Sequence, residues 1–263
     1  MTSYVIKIGG HALDSLTPHS PVLNALASDV AALRDESTNV VIVHGGGPQI
    51  ASLLDAVGVV SLFHEGLRVT NAETMEYVAM ALSQVNLHVV AALNQAGLKS
   101  AGLSGVDGSM LTATALGAPW FRAGASPKVD VTLIEALWMD GVTPVMSSIA
   151  VDESGELLNC NADAAAGALA GALGARALVL LSDVDQLRAD PLDASTALAS
   201  VRAAEVRRLI DDGSAREGMR PKMMAALEAL EHGAQRVVLA NGTKPHALRD
   251  ALNGSTVTTE VTR

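Results

Sequence analysis

The chain has 263 residues, 49% of them apolar and 17% charged, with a formal net charge of −10 and a single cysteine, Cys160. A chain of this length buries a large core without cross-links, so a disulfide scaffold is excluded, and its apolar content excludes disorder. The acidic balance and the 2% aromatic content leave neither a basic face nor stacking platforms, which argues against nucleic acid and anionic membrane as partners.

At about 150 residues per domain, one large domain or two lobes of one α/β unit is expected. Residues 4–8 form a short apolar run that ends at Gly9-Gly10, and residues 21–34 have helical spacing. Residues 40–43 are a β-branched run that ends at Gly45-Gly46-Gly47, and residues 48–57 are helical again. Short apolar runs that feed helices through glycine turns predict parallel strands joined by crossovers, buried on both faces. Residues 72–96 predict a long helix. Its stretch 77–98 lacks Asp, Glu, Lys and Arg, but Ser83, Gln84, Asn86, His88, Asn94 and Gln95 are expensive in hydrocarbon. A core or subunit interface therefore suits it better than a membrane.

Residues 144–151 read as one strand, turned back by Asp152-Glu153-Ser154-Gly155 through Leu157 and Leu158. Residues 162–173 predict a small-residue helix closed by Gly174. Residues 178–181 and 236–240 read as strands, and 203–211 and 222–231 as helices. The second half thus looks like a second lobe without a flexible joint. Residues 1–7 lack a signal-peptide run, so the cytoplasm is expected and the sequons at Asn241 and Asn253 are chance matches.

The sequence has no P-loop, no G-x-G-x-x-G, no HExxH, no cysteine cluster and no G-x-S-x-G elbow. It has instead two strand-to-glycine turns, Lys7-Ile8-Gly9-Gly10 and His44-Gly45-Gly46-Gly47-Pro48. Such turns let the backbone approach a ligand and aim N–H groups at it, and a following helix N-terminus adds positive potential. At the carboxyl ends of parallel strands they would cradle phosphate oxygens, although each alone could be no more than a tight turn. Lys7 lies inside an apolar strand, where a cation is costly unless it meets an anion. Lys222 opens an apolar helix and on its own reads as a surface lysine. In Asn159-Cys160-Asn161-Ala162-Asp163, Asn161 or Asp163 suits a helix cap, while Asn159 could contact a substrate and Asp163 could position cations. Arg68, in Gly66-Leu67-Arg68-Val69-Thr70, could grip a carboxylate with its fork or simply face solvent.

Taken in order, these segments, with Leu180-Leu181-Ser182-Asp183-Val184 and Gly218-Met219-Arg220-Pro221-Lys222, resemble the amino-acid kinase family over nearly the whole chain. The G-x-R-x-T loop resembles the branch that acts on N-acetyl-L-glutamate. The resemblance implies a three-layer αβα sandwich with a mainly parallel central sheet. It implies an N-terminal lobe, residues 1–174, for amino-acid binding and dimerisation, and a C-terminal lobe, residues 175–263, for ATP. By motif position, Lys7 and Lys222 would stabilise the transferring phosphoryl group and Asp163 would hold both lysines. Gly10 and Gly46 would offer N–H groups to the phosphoryl oxygens, and Gly46, Gly47, Arg68 and Asn159 would hold the substrate. Asp183, Val184, Asp185, Gln186, Leu187 and Arg188, with Ser214, Ala215 and Arg216, would frame the nucleotide. Gln186 stands where the family usually has glycine.

The implied reaction moves the γ-phosphoryl group of ATP to a side-chain carboxylate, giving an acyl phosphate. The nucleophile is already ionised at neutral pH, so no general base is needed. Mg2+ would be held by phosphates and water, and no protein metal site is expected. Two alternatives stay open: a sister kinase of an aminoadipate or glutamate derivative on a carrier protein, and a non-catalytic sensor of nucleotide or amino acid. The uncharged stretch 77–98 leads us to expect a homodimer. In the family, arginine-inhibited hexamers resemble such dimers joined through a helix before the first strand. Only three residues stand before that strand here, so absence of arginine inhibition is also expected.

Overall fold

Alternate residues of a strand face opposite sides of its sheet, so a strand apolar throughout must be covered on both faces. In a computed structural model, which describes residues 2–13, 17, 20–34, 37–190, 193–214 and 219–263, the β-branched runs of this chain meet that condition. The central strands are β1 (Thr2–Ile8), β2 (Thr38–His44), β3 (Ser100–Ser104), β4 (Thr143–Ser147), β5 (Ala177–Ser182), β6 (Ser200–Arg202), β7 (Val237–Asn241) and β8 (Thr258–Thr262). Among the described residues they lie in the order β6-β8-β7-β5-β1-β2-β4-β3. Only the β7–β8 pair is antiparallel.

The helices are α1 (Pro21–Leu33), α2 (Gly47–Ala56), α3 (Ala72–Gln95), α4 (Thr132–Met139), α5 (Ala162–Ala172), α6 (Ala203–Asp211), α7 (Met219–Glu231) and α8 (Ala247–Asn253). On one face Tyr4, Ile6 and Ile8 of β1 join a core with α1, the second half of α3 and α8. On the other, Val5 joins α4, α5, α6 and α7. The result is the expected three-layer sandwich. Strand parity puts Lys7 on the same face as Val5, toward α5. The boundary at residues 174 and 175 falls between helix and strand, and β1 pairs with β5 across it, so both halves share one sheet.

A smaller sheet covers the carboxyl edge of β2 and β4. Its strands run in the order Ala115–Gly117, Phe121–Gly124, Leu157–Asn159, Ile149–Val151, Leu111–Thr112 and Lys128–Val129. The apolar run 144–151 is therefore not one strand. It leaves the central sheet after Ser147 and enters the small one at Ile149, with the Ser148 carbonyl accepting from the Cys160 N–H at 3.1 Å. Both sheets are buried at this point, so hydropathy does not mark the break.

Most polar residues of α3 gather on one side, Thr74 and Asn86 being buried. Met75, Val78, Leu82, Val85, Val89 and Leu93 are buried, whereas Ser83, Gln84, His88 and Asn94 face outward with Met80 and Leu87. The helix is amphipathic rather than apolar all round, and no described helix is long and apolar enough to cross a membrane.

The alanines and glycines of α5 serve close approach. A Cβ at Gly167 would lie 2.7 Å from the Ala225 carbonyl oxygen of α7, and one at Gly171 would lie 2.5 Å from His232 Cβ. The two helices cross without side-chain spacers, and this brings the first turn of α7 to the first turn of α5. Gly167→Ala is expected to lower unfolding free energy by about 1–3 kcal/mol, the usual cost of overpacking a rigid contact. A denaturant titration checks it, and an unchanged midpoint would show that α5 and α7 part freely.

Candidate active site

Two glycine turns and two helix N-termini meet at the carboxyl edge of the sheet, on either side of β1 and β2. Lys7 comes from β1, where it lies opposite Val43 and Leu180. Its Nζ sits 2.8 Å from Asp163 Oδ1 in a pair whose side chains are 9% and 7% exposed. Gly9 makes room for this, because a Cβ there would stand 2.7 Å from Lys7 Nζ. Asn161 caps α5, accepting from the N–H groups of Asp163 at 2.8 Å and Ala164 at 3.2 Å. Asp163 is thereby free of capping and turns to the lysines. Lys222 Nζ, from α7, lies 3.7 Å from Asp163 Oδ2. Burial alone would raise the Asp163 carboxyl, but the charges of Lys7 and Lys222 outweigh it and hold it below the ordinary carboxylate range. Both ammonium groups are thus gathered on one carboxylate.

Gly46 is the N-cap of α2. Its glycine is required by packing, since a Cβ would lie 2.8 Å from Leu82 Cδ2 and 3.2 Å from Val85 Cγ2 of α3. The first N–H groups of α2 have no intrahelical acceptor and point out of the helix end. Gly47 meets nothing within 4 Å at its Cβ position, and Gly45 only Ala162 Cβ at 3.5 Å. Gly10 lies in a short 3-10 turn, Gly10–Leu13, directly after β1.

His44, fully buried, holds this turn from below. Its Nδ1 lies 2.9 Å from the Gly45 carbonyl, and its Nε2 lies 2.9 Å from Asn86 Nδ2. A carbonyl only accepts, so Nδ1 carries the proton and Nε2 accepts from Asn86. Burial pushes the imidazole down to about 4, and the bond to Gly45 offsets only part of that. Asn86 also donates to the Val145 carbonyl at 2.9 Å. The glycine of Gly102 is explained by the same group, since a Cβ there would lie 2.0 Å from Asn86 Oδ1.

Arg68 stands on the hairpin Phe63–His64 and Leu67–Arg68, closed by Glu65 (φ 49°) and Gly66 (φ 80°). It is 8% exposed. It donates to the Gly47 carbonyl at 3.2 Å, contacts the Ser61 hydroxyl, and lies 4.7 Å from the Phe63 ring centroid. Burial draws its guanidinium below the ordinary value. Asn159 faces it from the small sheet. Lys7, Gly46, Gly47, Arg68, Asn159 and Asp163 together line a cavity of about 240 Å³. Cys160 also lines it, but burial pushes its thiol up to about 12, which makes it a poor nucleophile at neutral pH.

The residues expected to frame the nucleotide are spread more widely. Asp183 and Val184 follow β5, and Asp185, Gln186 and Arg188 line a separate cavity of about 260 Å³ with Lys244. Gln186 donates to the Thr258 carbonyl at 2.8 Å and does not adopt a positive φ, so this loop does not need the family's glycine. Leu187 is fully buried in the core, which leaves it only its backbone to offer a ligand. Ser214 donates its N–H to Asp212 at 2.9 Å, while Ala215, Arg216 and Gly218 lie outside the described residues. His44, Asn86, Ser61 and Thr70 are polar residues at this site to which sequence reasoning gave no role.

The sequence model of the amino acid kinase family matches residues 3–241. The chain belongs to the amino acid kinase family. Acetylglutamate kinase of Rhodopseudomonas palustris is 41% identical, covering 93% of this chain and 84% of its own. Acetylglutamate kinase of Methanocaldococcus jannaschii is 39% identical, covering 93% and 85%. Among solved structures, N-acetylglutamate synthase of Neisseria gonorrhoeae, complexed with coenzyme A and N-acetyl-glutamate, superposes with a TM-score of 0.81 at 25% identity. That match covers 100% of this chain and 59% of the synthase. Membership in this family makes the chain a phosphotransferase.

The neutrality of His44 carries a consequence for stability. Its proton binds near 6.5 in the unfolded chain but near 4 in the folded one. The stabilisation is complete above pH 6.5 and is lost as pH falls toward 4, by on the order of 3 kcal/mol. Melting temperatures between pH 7 and pH 4.5 check this. His44→Gln should give the flatter profile, and profiles of equal slope would remove His44 from the acid response.

Proposed function

We propose that the chain transfers the γ-phosphoryl group of ATP to the side-chain carboxylate of N-acetyl-L-glutamate, a step of arginine biosynthesis. The observation that carries this reading is the meeting of Lys7 and Lys222 on Asp163, beside the Gly46 amide and across the cavity from Arg68. An anionic carboxylate must approach an anionic phosphoryl group, and the barrier is largely electrostatic repulsion. Lys7 and Lys222 lower it, and the amides of Gly10 and Gly46 would hold the equatorial oxygens in line for attack. Asp163 keeps both ammonium groups aimed. Arg68 and Asn159 would hold the far end of the amino acid. No proton needs to leave the nucleophile, so the absence of a role for His44 as a base fits.

Among the described residues no group of three His, Cys, Asp or Glu side chains could hold a metal. Asp163 is already engaged by two lysines. A Mg2+ ion would have to come with the phosphates of ATP, and no step above is routed through it. In this reading residues 1–174 bind the amino acid and residues 175–263 bind ATP through the loop 183–188 and the segment 214–216. The enzyme would work in the cytoplasm, without nucleic-acid or membrane partners. The outer face of α3, with Met80 58% and Leu87 70% exposed, would join two copies into a homodimer. A monomeric mass by light scattering would exclude that arrangement.

The decisive assay is ADP release with a panel of acyl amino acids and no added protein. Turnover with free N-acetyl-L-glutamate separates this reading from a carrier-dependent kinase and from a sensor. Lys7→Ala and Lys222→Ala should each lower kcat by roughly 10²–10³, about 3–4 kcal/mol, with smaller effects on substrate binding. Near-normal turnover in either variant removes the role given to that lysine. Arg68→Lys should raise the KM for acetylglutamate more than that for ATP, because an ammonium cannot grip a carboxylate bidentately. Equal losses for both substrates would point to a disturbed fold.

A further inference from the structure

Thr70 joins the two side chains that face the amino-acid end of the cavity. It is fully buried. Its Oγ1 donates to the Arg68 carbonyl at 2.9 Å and accepts from Asn159 Nδ2 at 3.0 Å. The direction of these bonds follows from chemistry. A hydroxyl has one hydrogen, and the Arg68 carbonyl can only accept, so the hydrogen points there. The face of Oγ1 turned to Asn159 then holds only lone pairs, and it selects the amide nitrogen over the amide oxygen. The backbone of Thr70 is pinned as well, donating to the Trp120 carbonyl at 3.2 Å and accepting from the Arg122 N–H at 2.8 Å. Asn159 is fixed in its strand, in register with Ile149 on one side and Ala123 on the other. The side-chain amide therefore has one orientation, with one Nδ2 hydrogen committed to Thr70, and among the described residues no donor meets its Oδ1 beside the cavity that Asn159 lines.

We propose that Thr70 is a specificity-determining positioning residue: it locks the Asn159 amide so that Oδ1 demands an N–H on the substrate carbon next to the carboxylate held by Arg68. This rests on the acetylglutamate reading above and names what selects the acylamino group within it. An acceptor facing a donor gains a hydrogen bond, whereas an acceptor facing an ester oxygen gains repulsion and a desolvated, unpaired group. Without Thr70 the amide can turn over and offer its nitrogen instead.

The test compares N-acetyl-L-glutamate with its ester analogue, (2S)-2-acetoxyglutarate, which differs only by oxygen in place of the N–H. The native enzyme should prefer the amide by at least about 100-fold in kcat/KM, by the cost of leaving a buried polar group unpaired. Thr70→Val, which keeps the volume and loses the hydroxyl, should shrink that ratio at least about 10-fold and leave the KM for ATP unchanged. Thr70→Ser, which keeps the hydroxyl, should restore it. Equal turnover of both compounds by the native enzyme overturns the proposal, as does a Thr70→Val enzyme that loses activity on both alike. If Thr70→Val does not fold, Thr70→Ala reads the same ratio, and failure of both to fold assigns Thr70 a purely structural role. A native enzyme that turns over neither compound would instead sink the acetylglutamate reading, whatever Thr70 does.

Discussion

One buried carboxylate holds the site together. Asp163 draws Lys7 from the carboxyl end of a strand and Lys222 from the first turn of a helix more than two hundred residues from Lys7 in sequence. Neither lysine belongs where it lies on local grounds. A cation in an apolar strand pays desolvation, and one at a helix N-terminus opposes the dipole. Asp163 meets both objections at once, and its own charge sits favourably in the first turn of α5. Both ammonium groups are thereby held in a place that water reaches poorly.

The rest of the local architecture follows from letting these groups meet. The small residues of α5 allow α7 to approach without spacers, and the approach places Lys222 near Asp163. Gly9 clears the space that Lys7 Nζ fills, and Gly46 clears the space that α3 fills. The His44–Asn86 pair works in the same way one layer down. It ties the glycine turn to β4 through the Val145 carbonyl, and it explains a glycine in β3 that has no contact with the cavity. The glycines thus divide into those that admit a functional group and those, such as Gly47, whose Cβ position is open.

Much of this was legible in the sequence, for a physical reason. Strands buried on both faces announce themselves as continuous apolar runs, and β1, β2, β5 and β7 were read that way. Helices α1, α3, α5 and α6 were bounded by their spacing and by punctuation such as Pro21 and Gly174. Lys7 was legible because a charge in such a run needs an anion. The margins of the sheet are not legible: β3, at one edge, is Ser-Ala-Gly-Leu-Ser and only half-buried, β6, at the other, has three residues, and β8 beside it is Thr-Thr-Glu-Val-Thr, with little apolar signal. Of the small sheet only the hairpin turned at 152–155 is legible, because its other strands are two to four residues long, too short for periodicity to register. The break at Ser148 was hidden because apolar residues continue across it. His44, Asn86 and Thr70 were out of reach for another reason, since their roles depend on partners from distant segments and on which atom donates.

Charge and hydrogen bonding also differ in how much positional error they tolerate, and the fold allots them accordingly. A Coulomb interaction falls slowly with distance, so a lysine on a flexible four-carbon stem can serve a moving phosphoryl group. A hydrogen bond loses most of its value with small errors of angle, and it fails entirely if donor and acceptor are exchanged. The lysines accordingly sit on long stems that reach out from the central layers. Arg68, Thr70 and Asn159 sit instead on a hairpin and on the small sheet, where backbone pairing fixes each to its neighbours and the Thr70 hydroxyl fixes the polarity of one amide. In the proposed reading, the central sandwich would therefore supply the electrostatics of phosphoryl transfer to any carboxylate brought within reach. Which carboxylate is brought would then depend on a few hydrogen bonds in the short strands above it.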